Sequence, residues 1–414
     1  MVQHARREWL KAGAALGASA LAAPAFLAYG RDDKPIRVGM IDPTTSTYAA
    51  EGRSEIEGAR LAIEALNKHQ GILGRPVELI VEDSAANAGQ AAQKAFKLIR
   101  QDEVDMLMGA VSSAVALSIS QVAHDHGKVC MITGGHTDSV TGEECHWTTF
   151  RICTTTYMLA DGLAKTLVDK FGKRWYFITP DYAYGHSIQA NFEKILKPMG
   201  ATILGSSLSP LGTTDFSSYL IRAQSSHPEV LCLLVGGGDQ LNCLKQAAQF
   251  GLPKKMAIGG GLTELEVLQA LPADARVGWW TLEWWWDQPK TAHVKEFVES
   301  YRRAYDNKTP SARSWFGYAG MHALAMGAEK AKSIEPVKHA HGIEGLVLPP
   351  EIALQPYKTY FRAGDHQLMT GVFPGEALAG GTYPDLFKVD SILEGDKLAL
   401  PPDQTGCKLD YQRT

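Results

Sequence analysis

From Ile36 onward the chain repeats one pattern, a short apolar run followed by a stretch with helical periodicity. "IRVGMID" reads as a buried strand, and "SEIEGARLAIEALNKHQG" places Ile56, Ala59, Ile63 and Leu66 on one helical face. "PVELIVED", "AGQAAQKAFKLIRQD", "VDMLMGA", "AVALSISQVAHDHG" and "KVCMIT" continue the alternation. Strands separated by helices must pair in parallel, which gives a doubly wound sheet. The pattern then restarts. "YMLADGLAKTLVDKFG", "RWYFIT", "SIQANFEKILKPMG", "TILGSSL", "DFSSYLIRAQSSHP", "EVLCLLV", "DQLNCLKQAAQFG" and "KMAIGG" form a second set. The expected class is therefore α/β with two doubly wound lobes, and 414 residues suffice for two such domains.

The first residues differ. Arg6 and Arg7 precede the small-residue apolar stretch Ala12–Ala25, which ends in Ala23-Pro24-Ala25. A basic start, a short apolar segment and a small-residue end describe a secretory leader, and the arginine pair is of the twin-arginine kind. Residues 1–25 are read as an export signal, with a periplasmic destination. A net charge of −4 offers no footprint for nucleic acid. The six cysteines include no CxxC pair, so neither a zinc ribbon nor thioredoxin chemistry is supported. Cys130 and Cys232 lie in apolar strand-like runs and read as core thiols.

Open α/β sheets bind ligands at the carboxyl ends of their strands, where loops meet helix N-termini. Those ends here are rich in glycine and hydroxyls: "TTSTY", "GAVSSA", "TGGHTD", "TPDYAYG", "VGGGDQ" and "IGGGLTE". Together with their order and spacing, the segments "IRVGMIDPTTSTYAAEGRSEIEGARLAIEALN", "MGAVSSAVALSISQVAHDHGKVCMITGG", "ITPDYAYGHSI" and "YFRAGDHQLM" resemble the type I periplasmic solute-binding proteins of the leucine/isoleucine/valine and amide-binding group. The likeness runs from about Ile36 to Phe373. It implies the type I periplasmic binding protein fold, with lobes joined by a three-crossover hinge, near Ile152, Trp284 and Gly345. Lobe 1 is then 36–152 plus 286–345, lobe 2 is 153–284 plus 346–395, and 396–414 is a C-terminal tail. It also implies a small-molecule ligand in the interlobe cleft, the permease of an ABC importer as partner, a monomer, and no cofactor or metal.

The resemblance further implies which residues face the ligand. Ser112 and Ser113 match a ligand-carboxylate position, with a plain N-cap as the alternative. Gly135, His136 and Thr137 match the loop that touches the ligand's polar end, and Tyr48 an aromatic of the first loop. Tyr157, Asp181, Tyr184, Gly238 and Asp239 come from the second lobe, Asp181 alternatively as an N-cap. Gly261 stands where amino-acid-binding relatives carry an acid, with Glu264 and Glu266 a turn further on. The ligand is accordingly an amino acid, an amide or a small or aromatic carboxylate. In this family a cysteine of a "C…HW" segment pairs with one near the C-terminus, which implies Cys145–Cys407, with Cys145–Cys153 as the rival.

One stretch remains, "GWWTLEWWWDQP", with five tryptophans in eight positions. Read as a strand leaving the second lobe, its first two tryptophans are structural, and one of Trp284–Trp286 is a ligand wall, with Trp284 the candidate. Catalysis has little support: GxSxG, HExxH and P-loop spacings are missing. His124/His126 and His339/His341 sit two apart, which does not place both on one helix face. A sensor of the same fold and a periplasmic enzyme are the alternative functions.

Overall fold

The computed structural model describes residues 34–411. The expected leader and the last three residues lie outside them. The first sheet has the order β2-β1-β3-β4-β5, all parallel. Its strands are β1 (Ile36–Asp42), β2 (Val77–Asp83), β3 (Met106–Gly109), β4 (Cys130–Ile132) and β5 (Thr149–Arg151). Helices α1 (Ala49–Lys68), α2 (Ala88–Arg100) and α3 (Ser113–Asp125) make the crossovers. Asn87 starts α2 by accepting the Gln90 N–H at 2.9 Å.

The second sheet runs β12-β11-β10-β9-β8-β6-β7. It contains β6 (Arg174–Pro180), β7 (Thr202–Ser209), β8 (Val230–Leu233), β9 (Ala257–Leu262) and β10 (Trp279–Leu282) in parallel. β11 (Phe373–Ala377) and β12 (Phe387–Val389) close its edge antiparallel. Its helices are α4 (Thr156–Phe171), α5 (Ala183–Leu196), α6 (Ser217–Ser225), α7 (Gly237–Gln249) and α8 (Leu265–Ala270). The chain then returns to the first sheet with α9 (Val294–Ala304), α10 (Ala312–Ala331) and α11 (Pro336–Ile343). Two lobes of α/β architecture result, each with two buried apolar clusters of its own.

α10 is apolar nearly all round and buried, as a helix enclosed by other elements must be. It lies against α1 with no room for a side chain between them. A Cβ on Gly58 would strike the Ser314 carbonyl, and one on Gly317 the Glu55 carbonyl. This close approach sets Glu55 of α1 beside Arg313 of α10.

Two expectations need correction. The segment from Leu346 to Leu368 does not join the second lobe. Leu346, Leu348, Ile352, Leu354, Phe361 and Leu368 are buried in the first lobe's core, and Gln367 pairs with Arg151 of β5. The third crossing therefore falls just before Phe373. The tryptophan run leaves β10 at Leu282 for the second crossover, but Trp284 does not turn toward the cleft as a ligand wall. Trp284 is buried in the first core, where its Nε1 donates to the Leu354 carbonyl at 3.0 Å. Trp285 is buried in the second, 6.0 Å from the Phe387 ring.

The tail runs back between the lobes. Leu393 and Leu398 pack on α4, while Cys407 is joined to Cys145 in a disulfide and Tyr411 lies 5.4 Å from the Trp147 ring. Cys130, Cys153, Cys232 and Cys243 are free and buried.

Candidate functional site

The two lobes touch along the ends of their strands. The Thr47 hydroxyl donates to Asp239 at 2.6 Å, and the Gly238 N–H to the Thr47 carbonyl at 2.8 Å. The Tyr48 and Tyr182 hydroxyls meet at 2.8 Å. Ser54 and Ser311 of the first lobe both donate to Glu266 of the second, at 2.5 and 2.6 Å. Behind this seam lies a small cavity, with about 30 Å³ of free space, lined by residues of both lobes.

Of the expected residues, Tyr48, Ser113, His136 and Tyr184 line it. Tyr184 is buried, its ring 6.1 Å from both the His136 and the Tyr182 rings, so three tyrosines and a histidine make an aromatic wall. Ser113 uses its hydroxyl oxygen to accept the Thr137 N–H at 3.1 Å. Ser112 starts α3 without a side-chain cap, and its buried hydroxyl makes no hydrogen bond within the structure.

The remaining expected residues stand elsewhere. Gly135 packs its Cα against Ala116. Thr137 and Tyr157 line a separate surface groove. Asp181 is exposed, 3.0 Å from His186, and the N-cap of α5 is Tyr182, so Asp181 neither caps the helix nor lines the cavity. Gly238 and Asp239 form the seam, and a Cβ on Gly261 would meet Ile188. Trp284 faces the first core. The residue of the tryptophan run that approaches the site is Glu283. Its carboxylate lies 2.6 Å from His136 Nε2 and accepts the Thr154 N–H and hydroxyl at 2.6 and 2.7 Å. Burial lowers the His136 pKa despite this partner. Burial pushes Glu283 up, but His136, Arg313 and the Thr154 N–H together hold its carboxyl below the ordinary value.

Three charged lining residues were not among the expected ligand contacts: Glu51, Arg313 and Glu264, the last noted only as lying a turn beyond Gly261. Arg313 Nε donates to Glu264 at 2.7 Å and Nη1 to Glu55 at 3.0 Å, so one guanidinium ties the lobes together. Burial would lower its pKa, but the two carboxylates hold it well above the ordinary value. Arg313 sits in the first turn of an apolar helix, against the helix dipole, and that misplacement was the readable signal. Glu264 is the N-cap of α8 yet caps nothing, which leaves its carboxylate for Arg313. Glu51 looked like an ordinary first-turn acid of α1.

One guanidinium cannot hold all these carboxylates charged. Burial and then Glu266 raise Glu51 from 4.5 to about 7, and burial raises Glu264 well above the usual range. A carboxyl raised on folding adds stability that is full below its unfolded pKa and is lost as pH rises through its folded one. The stability of the wild type relative to Glu51→Gln should fall on the order of 2–3 kcal/mol as pH rises from 4.5 to about 7. His322 and His339, lowered by burial to about 4, slope the opposite way in both proteins and cancel in the difference. Parallel urea titrations across that interval check it; a constant difference would mean that Glu51 ionises normally.

Among the described residues, no group of three His, Cys, Asp or Glu side chains could hold a metal ion, and no helix is long and apolar enough to cross a membrane. His124 instead stacks on His146 at 4.4 Å, and His339 bonds the Leu324 carbonyl at 2.8 Å.

A family model described as periplasmic binding protein matches residues 35–382. The chain belongs to the periplasmic binding protein family. The binding protein is 28% identical over 352 residues to Leu/Ile/Val-binding protein homolog 8 of Brucella suis, covering 81% of this chain and 86% of that one. It is similar to a periplasmic binding protein of Burkholderia mallei, at 28% identity and a TM-score of 0.83 over 90% of this chain and 98% of that one. It also resembles the amino acid ABC transporter substrate-binding protein of Pseudomonas fluorescens Pf-5, at 27% identity and a TM-score of 0.80, over 91% and 99% of the two chains. As a member of this family the binding protein holds solute and is not an enzyme.

Proposed function

We propose that the protein is the extracytoplasmic receptor of an ABC importer, capturing a small polar organic solute between its lobes and presenting it to the membrane permease. The cavity carries this reading: both lobes line it, and a ligand can favour closure only by touching both. Tyr48, Ser113 and His136 contact the solute from one lobe and Tyr184 from the other, with Glu51, Glu264 and Arg313 added to that set. The chain acts as a monomer, and residues 1–25 direct export by the twin-arginine route. Lobe 1 comprises 36–152 and 286–345 together with 346–368; lobe 2 comprises 153–284 and the rest up to 395. Amino-acid transport by the Pseudomonas fluorescens relative places amino acids among the solutes to be tried.

Mass spectrometry of compounds released from denatured periplasmic protein should return one small molecule that rebinds the refolded protein with 1:1 stoichiometry. Tyr184→Ala should weaken that binding by about tenfold or more, as truncation of a buried aromatic contact does. Chemical conversion of the compound during incubation would reject a receptor. Unchanged affinity in Tyr184→Ala would place the solute outside this cavity.

A further inference from the structure

The cavity's wall is unevenly charged. Among the described residues lining it, Arg313 is the single strong cation, and its Nε and Nη1 are already committed to Glu264 and Glu55. Against it stand Glu51 and Glu264, both buried, each with its Oε2 lacking any hydrogen-bond partner within the structure. Glu266 lies just behind, with one oxygen bonded to Ser54 and Ser311 and the other unpartnered. An ionised carboxylate accepts and does not donate, so once Glu51 and Glu264 are charged these oxygens call for N–H or O–H groups supplied from outside. Leaving such buried atoms unsatisfied costs free energy that a matching ligand would recover. Tyr48, Tyr182 and Tyr184 line the same cavity. Aromatic faces attract cations.

A free carboxylate would find the reverse. It would add negative charge where a single guanidinium already serves Glu264 and Glu55, with Glu51 and Glu266 close by. Taking the cavity as the solute site, we infer that its ligand is a compact nitrogenous cation, an alkylammonium, amidinium or guanidinium group, held by Glu51 and Glu264 against the tyrosine wall. The raised carboxyl of Glu51, which faces Glu266, Arg313 and Glu55, then loses its proton as the cation enters. The solute exchanges places with a proton.

Acetate, acetamide and acetamidinium share one shape and carry charges of −1, 0 and +1, so they test charge alone. Calorimetric titration of the wild type should rank acetamidinium first and acetate last. Acetamidinium binding should release protons at pH 6, seen as an enthalpy that changes with the buffer's ionisation enthalpy. Glu51→Gln and Glu264→Gln, which keep shape and remove charge, should each weaken acetamidinium by about ten- to hundredfold. Acetamide or acetate binding at least as well as acetamidinium would overturn the charge assignment while leaving the cavity as the site; so would the absence of acetamidinium binding. If the compound recovered from the native protein binds Glu51→Gln, Glu264→Gln and Tyr184→Ala like the wild type, the cavity itself is not the site. Proton release in the wild type keeps the test decisive should either variant fail to fold.

Discussion

Arg313→Met is expected to lower the free energy of unfolding by about 3–5 kcal/mol, because it strands buried carboxylates that the guanidinium now compensates. The partners are Glu264 at 2.7 Å and Glu55 at 3.0 Å, and the arginine is only 4% exposed. Glu55 in turn accepts the Thr133 hydroxyl and lies beside Asp42, whose carboxyl is pushed far up by burial and by Glu55 itself. The loss therefore spreads along a chain of acids. Arg313→Lys should recover only part of it, because a single ammonium does not reproduce the fork that reaches two carboxylates. The double variant Arg313→Met with Glu264→Gln should be more stable than Arg313→Met alone. Urea unfolding at pH 7 measures all three. A loss below about 1 kcal/mol in the single variant would mean that the carboxylates discharge themselves by taking up protons.

The second large effect concerns the tail. Replacing Cys145 and Cys407 together with serine should cost about 5 kcal/mol, the loop-closure entropy of a bridge spanning 262 residues. Guanidinium unfolding of the double variant against the oxidised wild type gives the number. A peptide map without reduction should show this bridge, with Cys130, Cys153, Cys232 and Cys243 as free thiols, since all four are buried. Equal stability of the two proteins would show that native strain cancels the entropic gain.

The alternation of strand and helix was legible because each segment's apolar period is local and unambiguous. The third crossing was not. "YKTYFRAGDHQLMTGVF" signals a turn between extended runs, but nothing in it says which lobe will cover Phe361 and Leu368. The same limit governs the site. Tyr48, Ser113, His136 and Tyr184 could be found because they follow strand ends, where an open sheet keeps its ligand. Arg313 comes from a helix more than two hundred residues beyond Glu55, and only the close packing of Gly58 and Gly317 unites them. Asp181 shows the opposite error. It stands one residue too early for the cap and points to solvent, an offset that pattern alone does not resolve.

Trp284 and Trp285 are adjacent in sequence yet buried in different cores, one against Phe297 at 5.6 Å and the other against Phe387. Each indole is gripped by its own lobe. Sliding one lobe over the other would drag both rings through close-packed surroundings, which protein interiors resist. Twisting about the backbone between them disturbs neither. The link between the two tryptophans is thus the point at which backbone torsion would work as a fulcrum, leaving each indole in its own core while displacing the distant seam where Thr47 meets Asp239.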